Sequence, residues 1–355
     1  MKAIGYYSPL PISDDQALIE LAVPEPTPGP RDLRVAVRAV SVNPVDVKLR
    51  SSSAPPKGTA RILGYDAAGV VESVGSEVRQ FEPGDEVYYA GAIDRPGTNS
   101  ELHLVDERIA GRKPPSLSFA ESAALPLTAI TAWELLFDRL GVPYGVKTQL
   151  GAILIINGAG GVGSILTQLA RRLTGLTVIT TASRPESIAW SQEMGAHHVI
   201  SHHHPLSDGL QEIGISQVQY VAGLTASDQY LRSIVDILTP QGTFAMIDDP
   251  KTFDIVPFKQ KSLSVHWEFM FTRSLYGTPD MDAQHRLLNE VADLVDAGVL
   301  RTTVNAEVGP ITAENLRRAH AIVESGKTIG KVVLAGFESP PHGAAAEAWA
   351  AEVSP

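Results

Sequence analysis

The chain has 355 residues and no cysteine, which excludes disulfides, thiolate nucleophiles, iron–sulfur clusters and cysteine-ligated zinc. Its 29 lysines and arginines against 40 aspartates and glutamates leave a net charge of −11 with no basic stripe, so a nucleic-acid partner is not expected. Residues 1–7 lack the apolar core of a signal peptide and no apolar run reaches membrane-spanning length, so the expectation is a cytoplasmic protein of two domains with no membrane partner.

Residues 1 to 117 read as short strands, at 2–7, 18–23, 33–42, 67–74, 86–90 and 101–105, broken by Pro and Gly clusters at 24–30, 83–85 and 95–97. That spacing predicts a compact antiparallel barrel or sandwich. Residues 50–61, with Ser51, Ser52 and Ser53 followed by Pro55 and Pro56, show no periodicity and read as a lid or a plain surface loop. Ser118 and Glu121 have the spacing of a capping box, so a helix starts there. Pro126 interrupts it, and a second helix runs on to Leu140.

From Ala152 the pattern changes. The unbroken apolar run 152–156 suits a parallel strand buried on both faces. Val162, Ile165, Leu166, Leu169 and Leu173 recur beyond it at helical spacing. Between strand and helix, Gly158, Gly160 and Gly163 fit G-x-G-x-x-G, with Gly161 and Val162 filling the gap. This turn lets a backbone approach a pyrophosphate at a helix N-terminus and predicts dinucleotide binding. Further strands are expected at 177–182, 198–201, 218–223, 243–248 and 263–269, with helices at 161–173, 185–194 and 227–238. The alternation indicates an α/β fold with a doubly wound parallel sheet. After Pro279 come a helix at 281–297, a strand at 304–307, a helix at 313–325 and a strand at 331–335.

NAD binding wants an acidic residue at the end of the second strand, about 20 residues past the glycines. Here that end carries Ser183 and Arg184 and no carboxylate. Arg184 can pair with a 2′-phosphate, so NADPH is favoured. His197, His198, His202, His203 and His204 read as a surface cluster without a physiological metal.

Several landmarks follow in a telling order: Ser41-Val42-Asn43-Pro44-Val45-Asp46, Gly64-Tyr65-Asp66-Ala67-Ala68-Gly69-Val70-Val71, Val74-Gly75, Pro83-Gly84-Asp85-Glu86-Val87, the glycine turn, and Gly330-Lys331-Val332-Val333-Leu334. Over residues 1 to 335 this order resembles the medium-chain dehydrogenase/reductase superfamily. Within it the chain looks most like the quinone reductase branch and a bacterial group labelled zinc-type alcohol dehydrogenase-like, which stretches 183–190 and 266–274 also resemble. The resemblance implies a GroES-like β-barrel-type catalytic domain from 1–126 and 276–338 and a Rossmann NADPH-binding domain at 127–275; the tail, 339–355, rich in Ala, Pro and Glu, reads as disordered or as a short helix. It also implies a homodimer, built on the strand that carries Trp267, Phe269 and Phe271.

In the zinc enzymes resembled, the catalytic metal is held by Cys and His at positions that match Asn43, Tyr65 and the neighbourhood of Leu127, with Asp66 in the place of a Glu. The lobe that would carry structural zinc falls between Tyr89 and Glu101, which contains no cysteine. No zinc is therefore expected. What remains is direct hydride transfer from NADPH to a small-molecule electrophile, a quinone or an α,β-unsaturated carbonyl. Asn43 and Tyr65 are the candidate oxyanion donors, with Tyr65 or water as the proton source, and packing as the other role open to Tyr65. Asp46 either orients its neighbours or makes a structural hydrogen bond. By resemblance Thr131, near Thr128, contacts the nicotinamide, and Lys331 either reaches the cofactor or faces solvent. Two other readings are an alcohol or carbonyl dehydrogenase of the zinc type and a non-catalytic NADPH-binding protein.

Overall fold

Every residue of the strand Ala152–Ile156 is apolar and buried, and the strand occupies an interior position of a six-stranded parallel sheet. The computed structural model describes residues 1–148 and 151–337, so the expectation for 339–355 falls outside the described residues. The sheet order is His198–Ile200, Thr177–Thr181, Ala152–Ile156, Val218–Gly223, Leu238–Met246, Ser264–Trp267. The chain runs outward from Ala152–Ile156 in one direction, then returns to build the other half. The order therefore reverses beside that strand, where a doubly wound sheet opens its ligand crevice.

The helices Gly161–Leu173, Pro185–Glu193 and Ser227–Ile237 fall where the periodicity puts them. The helix Leu206–Glu212 is an addition. It is short and broken in pattern by Gly209, where a side chain would press within 3.0 Å of Ile200. Tight packing between elements thus outweighs local propensity there.

A second sheet runs in the order Val304–Glu307, Lys331–Ala335, Asp32–Val42, Ala67–Val74, Glu86–Tyr89, Ala110–Arg112, with Leu102–Asp106 also pairing Asp32–Val42. The last strands of the chain thus return to the sheet of the first hundred residues. A smaller sheet joins Ile19–Ala22, Lys2–Tyr6 and Arg61–Ile62. The capping box is formed: Ser118 Oγ accepts from Glu121 N at 3.2 Å, and Glu121 Oε2 accepts from Ser118 N at 2.9 Å. Beyond it run the helix Pro126–Trp133 and a π-helical finish, Glu134–Arg139.

Two expectations change. Residues 50–52 belong to a helix, Pro44–Ser52, rather than to a loop. Arg50 is fully buried and donates to Leu10 O and to Glu324, which anchors the end of that helix. Pro44 in the first turn and Asp46 as a cap start the helix, signals too brief to register as periodicity. The strand expected at 263–269 ends at Trp267. Trp267 and Phe269 are half-exposed on the sheet's edge, whereas Phe271 is buried and meets Tyr65 edge-on at 5.3 Å. No helix among the described residues is long and apolar enough to cross a membrane.

Candidate active site

Helix Gly161–Leu173 has a glycine N-cap, Gly160, which offers no side chain to its first-turn amides. Those N–H groups point out of the helix end and are the groups an anionic ligand would take. The turn before them is closely packed. A Cβ on Gly163 would lie 2.3 Å from Asn157 O, and one on Gly158 would lie 2.4 Å from Thr180 Cβ. Asn157, at φ 70°, is held by its N–H donating to Thr181 Oγ1 at 2.9 Å.

The turn opens onto a cleft lined on the sheet side by Asn157, Gly160–Gly163, Leu224 and Ile247. Across from it stand Val42, Asn43, Leu127, Thr128 and Lys331, which belong to or adjoin the second sheet. A Cβ on Gly161 would come within 3.0 Å of Lys331 Cδ and 3.2 Å of Thr128 Cγ2. The bare backbone at Gly161 therefore makes room in the cleft where the two halves meet. These residues fit a dinucleotide, with its pyrophosphate on the helix end.

The inner end of the cleft is organised by Asp66, fully buried. Its Oδ2 accepts from Ser41 Oγ at 2.7 Å, Asn43 Nδ2 at 2.7 Å and Lys331 Nζ at 3.0 Å, and its Oδ1 accepts from Leu127 N at 2.8 Å. Lys331 Nζ also donates to Val42 O at 3.3 Å and to Asn43 Oδ1. Lys331 is thus buried, its stem on the cleft wall and its ammonium in the Asp66 network, not in solvent.

This network changes the reading of Asn43. Its second amide hydrogen goes to Tyr65 O at 3.3 Å. Both donors of the Asn43 amide are thereby occupied, so it orders the wall and has no donor left for a substrate oxygen. Tyr65 differs: its hydroxyl is buried with no hydrogen-bond partner among the described residues. Burial, with the Asp46 charge adding and nearby Arg61 opposing, pushes the phenol up to about 12, so it remains a protonated donor. Asp46 accepts from Asn43 N at 2.8 Å and from Gly64 N at 3.0 Å, the work of a helix cap and loop anchor. Burial pushes its carboxyl up to about 7, against the Asn43 bond and the Lys331 charge.

Of the two threonines, Thr128 lines the cleft. Thr131, one turn on, is buried and donates to Leu127 O at 2.7 Å. Ser183 and Arg184 lie beyond the cleft lining. Arg184 donates to Lys327 O at 2.8 Å and pairs with Glu186 at 3.2 Å, its side chain partly exposed. His197 Nδ1 accepts from Val178 N at 2.9 Å, and the His202 and His203 rings stand 4.7 Å apart.

The donor set does not fit a zinc ion. Asn43 offers an amide and Tyr65 a phenol, the Asp46 carboxyl is taken by two backbone amides, and Asp66 already holds an ammonium and three further donors. The partners of Asp66 were hidden in the sequence. One charge at the head of the apolar run 67–71 was the available sign, but its partners lie up to 265 residues away.

Residues 29–130 match the alcohol dehydrogenase GroES-like domain, and residues 194–334 match the zinc-binding dehydrogenase family. The chain is 38% identical over 338 residues to a zinc-type alcohol dehydrogenase-like protein of Staphylococcus aureus strain MRSA252, covering 94% of this chain and 99% of that one. It is 30% identical over 319 residues to a quinone oxidoreductase of Pseudomonas aeruginosa, covering 86% and 92%. Among solved structures it is similar to a protein of Rhizobium etli CFN 42 assigned as a zinc-dependent alcohol dehydrogenase, at 55% identity and a TM-score of 0.91 over 96% of this chain and 99% of that one. It also superimposes on the Escherichia coli quinone oxidoreductase complexed with NADPH, at 27% identity and a TM-score of 0.79 over 94% and 100%. A glycine turn opening onto a cleft between a doubly wound sheet and a GroES-like sheet, matched along nearly the whole chain, makes this protein an oxidoreductase of the medium-chain dehydrogenase/reductase superfamily.

Proposed function

We propose that the chain is a zinc-independent, NADPH-dependent reductase of quinones or α,β-unsaturated carbonyls. The observation that carries this reading is Lys331 Nζ at 3.0 Å from Asp66 Oδ2, a cation of the protein's own at the carboxylate a metal would need. Bound NADPH supplies a hydride, which suits acceptors that are reduced without metal polarisation. The glycine turn and the Gly161–Leu173 helix end bind the pyrophosphate. Thr128 and Lys331 would shape the wall beside the nicotinamide, and Thr131 spends its hydroxyl on Leu127 O within its own helix. Ser183 and Arg184 take the 2′-phosphate, Arg184 exchanging its bond to Lys327 O for the anion. Tyr65, whose hydroxyl has no hydrogen-bond partner among the described residues, is the donor for the oxygen on which negative charge grows, while Asn43 holds the Tyr65 carbonyl and Asp46 holds the Asn43 and Gly64 amides. The relatives named as quinone oxidoreductases, one of them complexed with NADPH, support this reading. We further propose a homodimer joined along the exposed edge strand Ser264–Trp267.

The names of other relatives favour a second reading, a zinc-type alcohol dehydrogenase. One experiment separates the two: NADPH oxidation against quinones, enones, enoyl thioesters and aldehydes, with and without a strong chelator. Turnover of quinones or enones that the chelator leaves unchanged is the expected outcome. A rate confined to aldehydes, or abolished by chelation, overturns the proposal.

A further inference from the structure

The Lys331–Asp66 pair is buried, and its lysine also lines the cleft, a combination that packing alone does not require. Asp66 is fully buried and Lys331 is 3% exposed. Placing two charges out of water is costly, and replacing such a pair by apolar groups is often neutral or stabilising. Here Lys331 links the cleft lining to the buried carboxylate behind it. The Lys331 stem is close enough to the glycine turn that a Cβ on Gly161 would come within 3.0 Å of its Cδ. Its ammonium lies on the far side, among Val42 O, Asn43 Oδ1 and Asp66 Oδ2. A dinucleotide with its pyrophosphate on the turn would have Lys331 in the lining of the same cleft.

When a reduced nicotinamide gives up a hydride, both electrons leave with the hydrogen to the acceptor, and the ring gains one positive charge. A fixed charge beside the ring acts on the two cofactor states differently, and in a water-poor cleft that difference is large. We infer that the Lys331–Asp66 pair sets the charge balance at the reacting end of the cofactor. Asp66 is the positioning residue that holds the ammonium, and Lys331 governs the preference of the site for reduced over oxidised nicotinamide. The inference rests on the nicotinamide reading above but not on the identity of the hydride acceptor.

Charge predicts a sign that mere packing does not. Lys331→Met leaves a buried negative charge and attracts the oxidised, positively charged ring. Asp66→Asn leaves a buried positive charge and repels it. The measurement is the ratio of dissociation constants for NADP⁺ and NADPH, by titration calorimetry or quenching of protein fluorescence, with folding checked by circular dichroism. The ratio is expected to fall at least several-fold in Lys331→Met, to rise several-fold in Asp66→Asn, and to return near the wild-type value in the double variant. If Lys331→Met does not fold, Lys331→Gln makes the same change of charge while keeping a donor. Both cofactor forms weakening by the same factor in each single variant would assign the pair to packing and overturn the inference. A wild-type protein that fails to reduce any quinone or enone while these shifts occur would overturn the proposed substrate class alone. A wild-type protein that binds neither cofactor form would overturn both.

Discussion

Arg139 Nε donates to Glu268 Oε2 across 2.8 Å, tying the end of the helical segment Glu134–Arg139 to the chain that leaves the edge strand. Glu134 is buried beside this contact and pairs with Arg273 at 2.6 Å. Arg273 also reaches Asp138 and Asp280 at 3.0 Å each, so the cluster carries more carboxylates than cations. Burial first, and the Glu134 charge second, push the Glu268 carboxyl well above the usual carboxylate range, with Arg139 opposing. Two buried carboxylates side by side retain a proton between them.

That proton makes stability pH-dependent. The folded chain holds it where the unfolded chain has lost it, so the contribution is full at acid pH. It is lost as pH rises from the ordinary carboxylate range through the raised value of Glu268, at up to about 1.4 kcal/mol per pH unit. Glu268→Gln, which mimics the neutral carboxyl, is expected to flatten this slope in urea denaturation at a series of pH values. Identical slopes in wild type and variant would reject the shared proton.

His320 gives the opposite sign. It is fully buried on the helix Ala313–Glu324, and neither ring nitrogen has a hydrogen-bond partner among the described residues. Burial, with the nearby Arg50 charge adding, lowers its pKa to about 3. The unfolded chain takes up a proton at about pH 6.5 that the folded chain refuses, so stability falls below that pH by up to about 1.4 kcal/mol per unit. His320→Phe is expected to remove this acid slope. At neutral pH it should cost little or stabilise, because no hydrogen bond is lost. Acid melting curves that stay superimposed would contradict it.

Tyr65→Phe tests the proposed oxyanion donor. Removing one such donor typically lowers turnover by about 100-fold or more. The hydroxyl has no hydrogen-bond partner to lose among the described residues, so melting temperature should hold or rise. Unchanged kcat on every accepted substrate would return Tyr65 to a packing role against Phe271.

Arg184→Ala tests cofactor choice. A charge-assisted bond to a phosphate contributes about 1.5–3 kcal/mol, so the KM for NADPH should rise by about 10- to 100-fold while that for NADH changes little. Equal effects on both cofactors would remove Arg184 from the 2′-phosphate site.

Several features were legible in the chain itself. The strand Ala152–Ile156 and the helix Gly161–Leu173 have the bounds that their apolar patterns imply. The Ser118–Glu121 capping box forms as spaced. Each depends on residues within a few positions of one another, where local geometry decides. The helix Pro44–Ser52 escaped because its single turn of evidence is a proline and a cap rather than a period.

By itself, then, the sequence determined the doubly wound sheet and the glycine turn at its crevice, since these follow from residue type and short spacing. Only the tertiary structure decided that Asp66 gathers Ser41, Asn43, Leu127 and Lys331. It also decided that both donors of the Asn43 amide are occupied and that the Tyr65 hydroxyl is left without a hydrogen-bond partner among the described residues. Those outcomes turn on which distant donor fills each buried acceptor, and that is settled when the strand Lys331–Ala335 pairs with Asp32–Val42 to close the cleft.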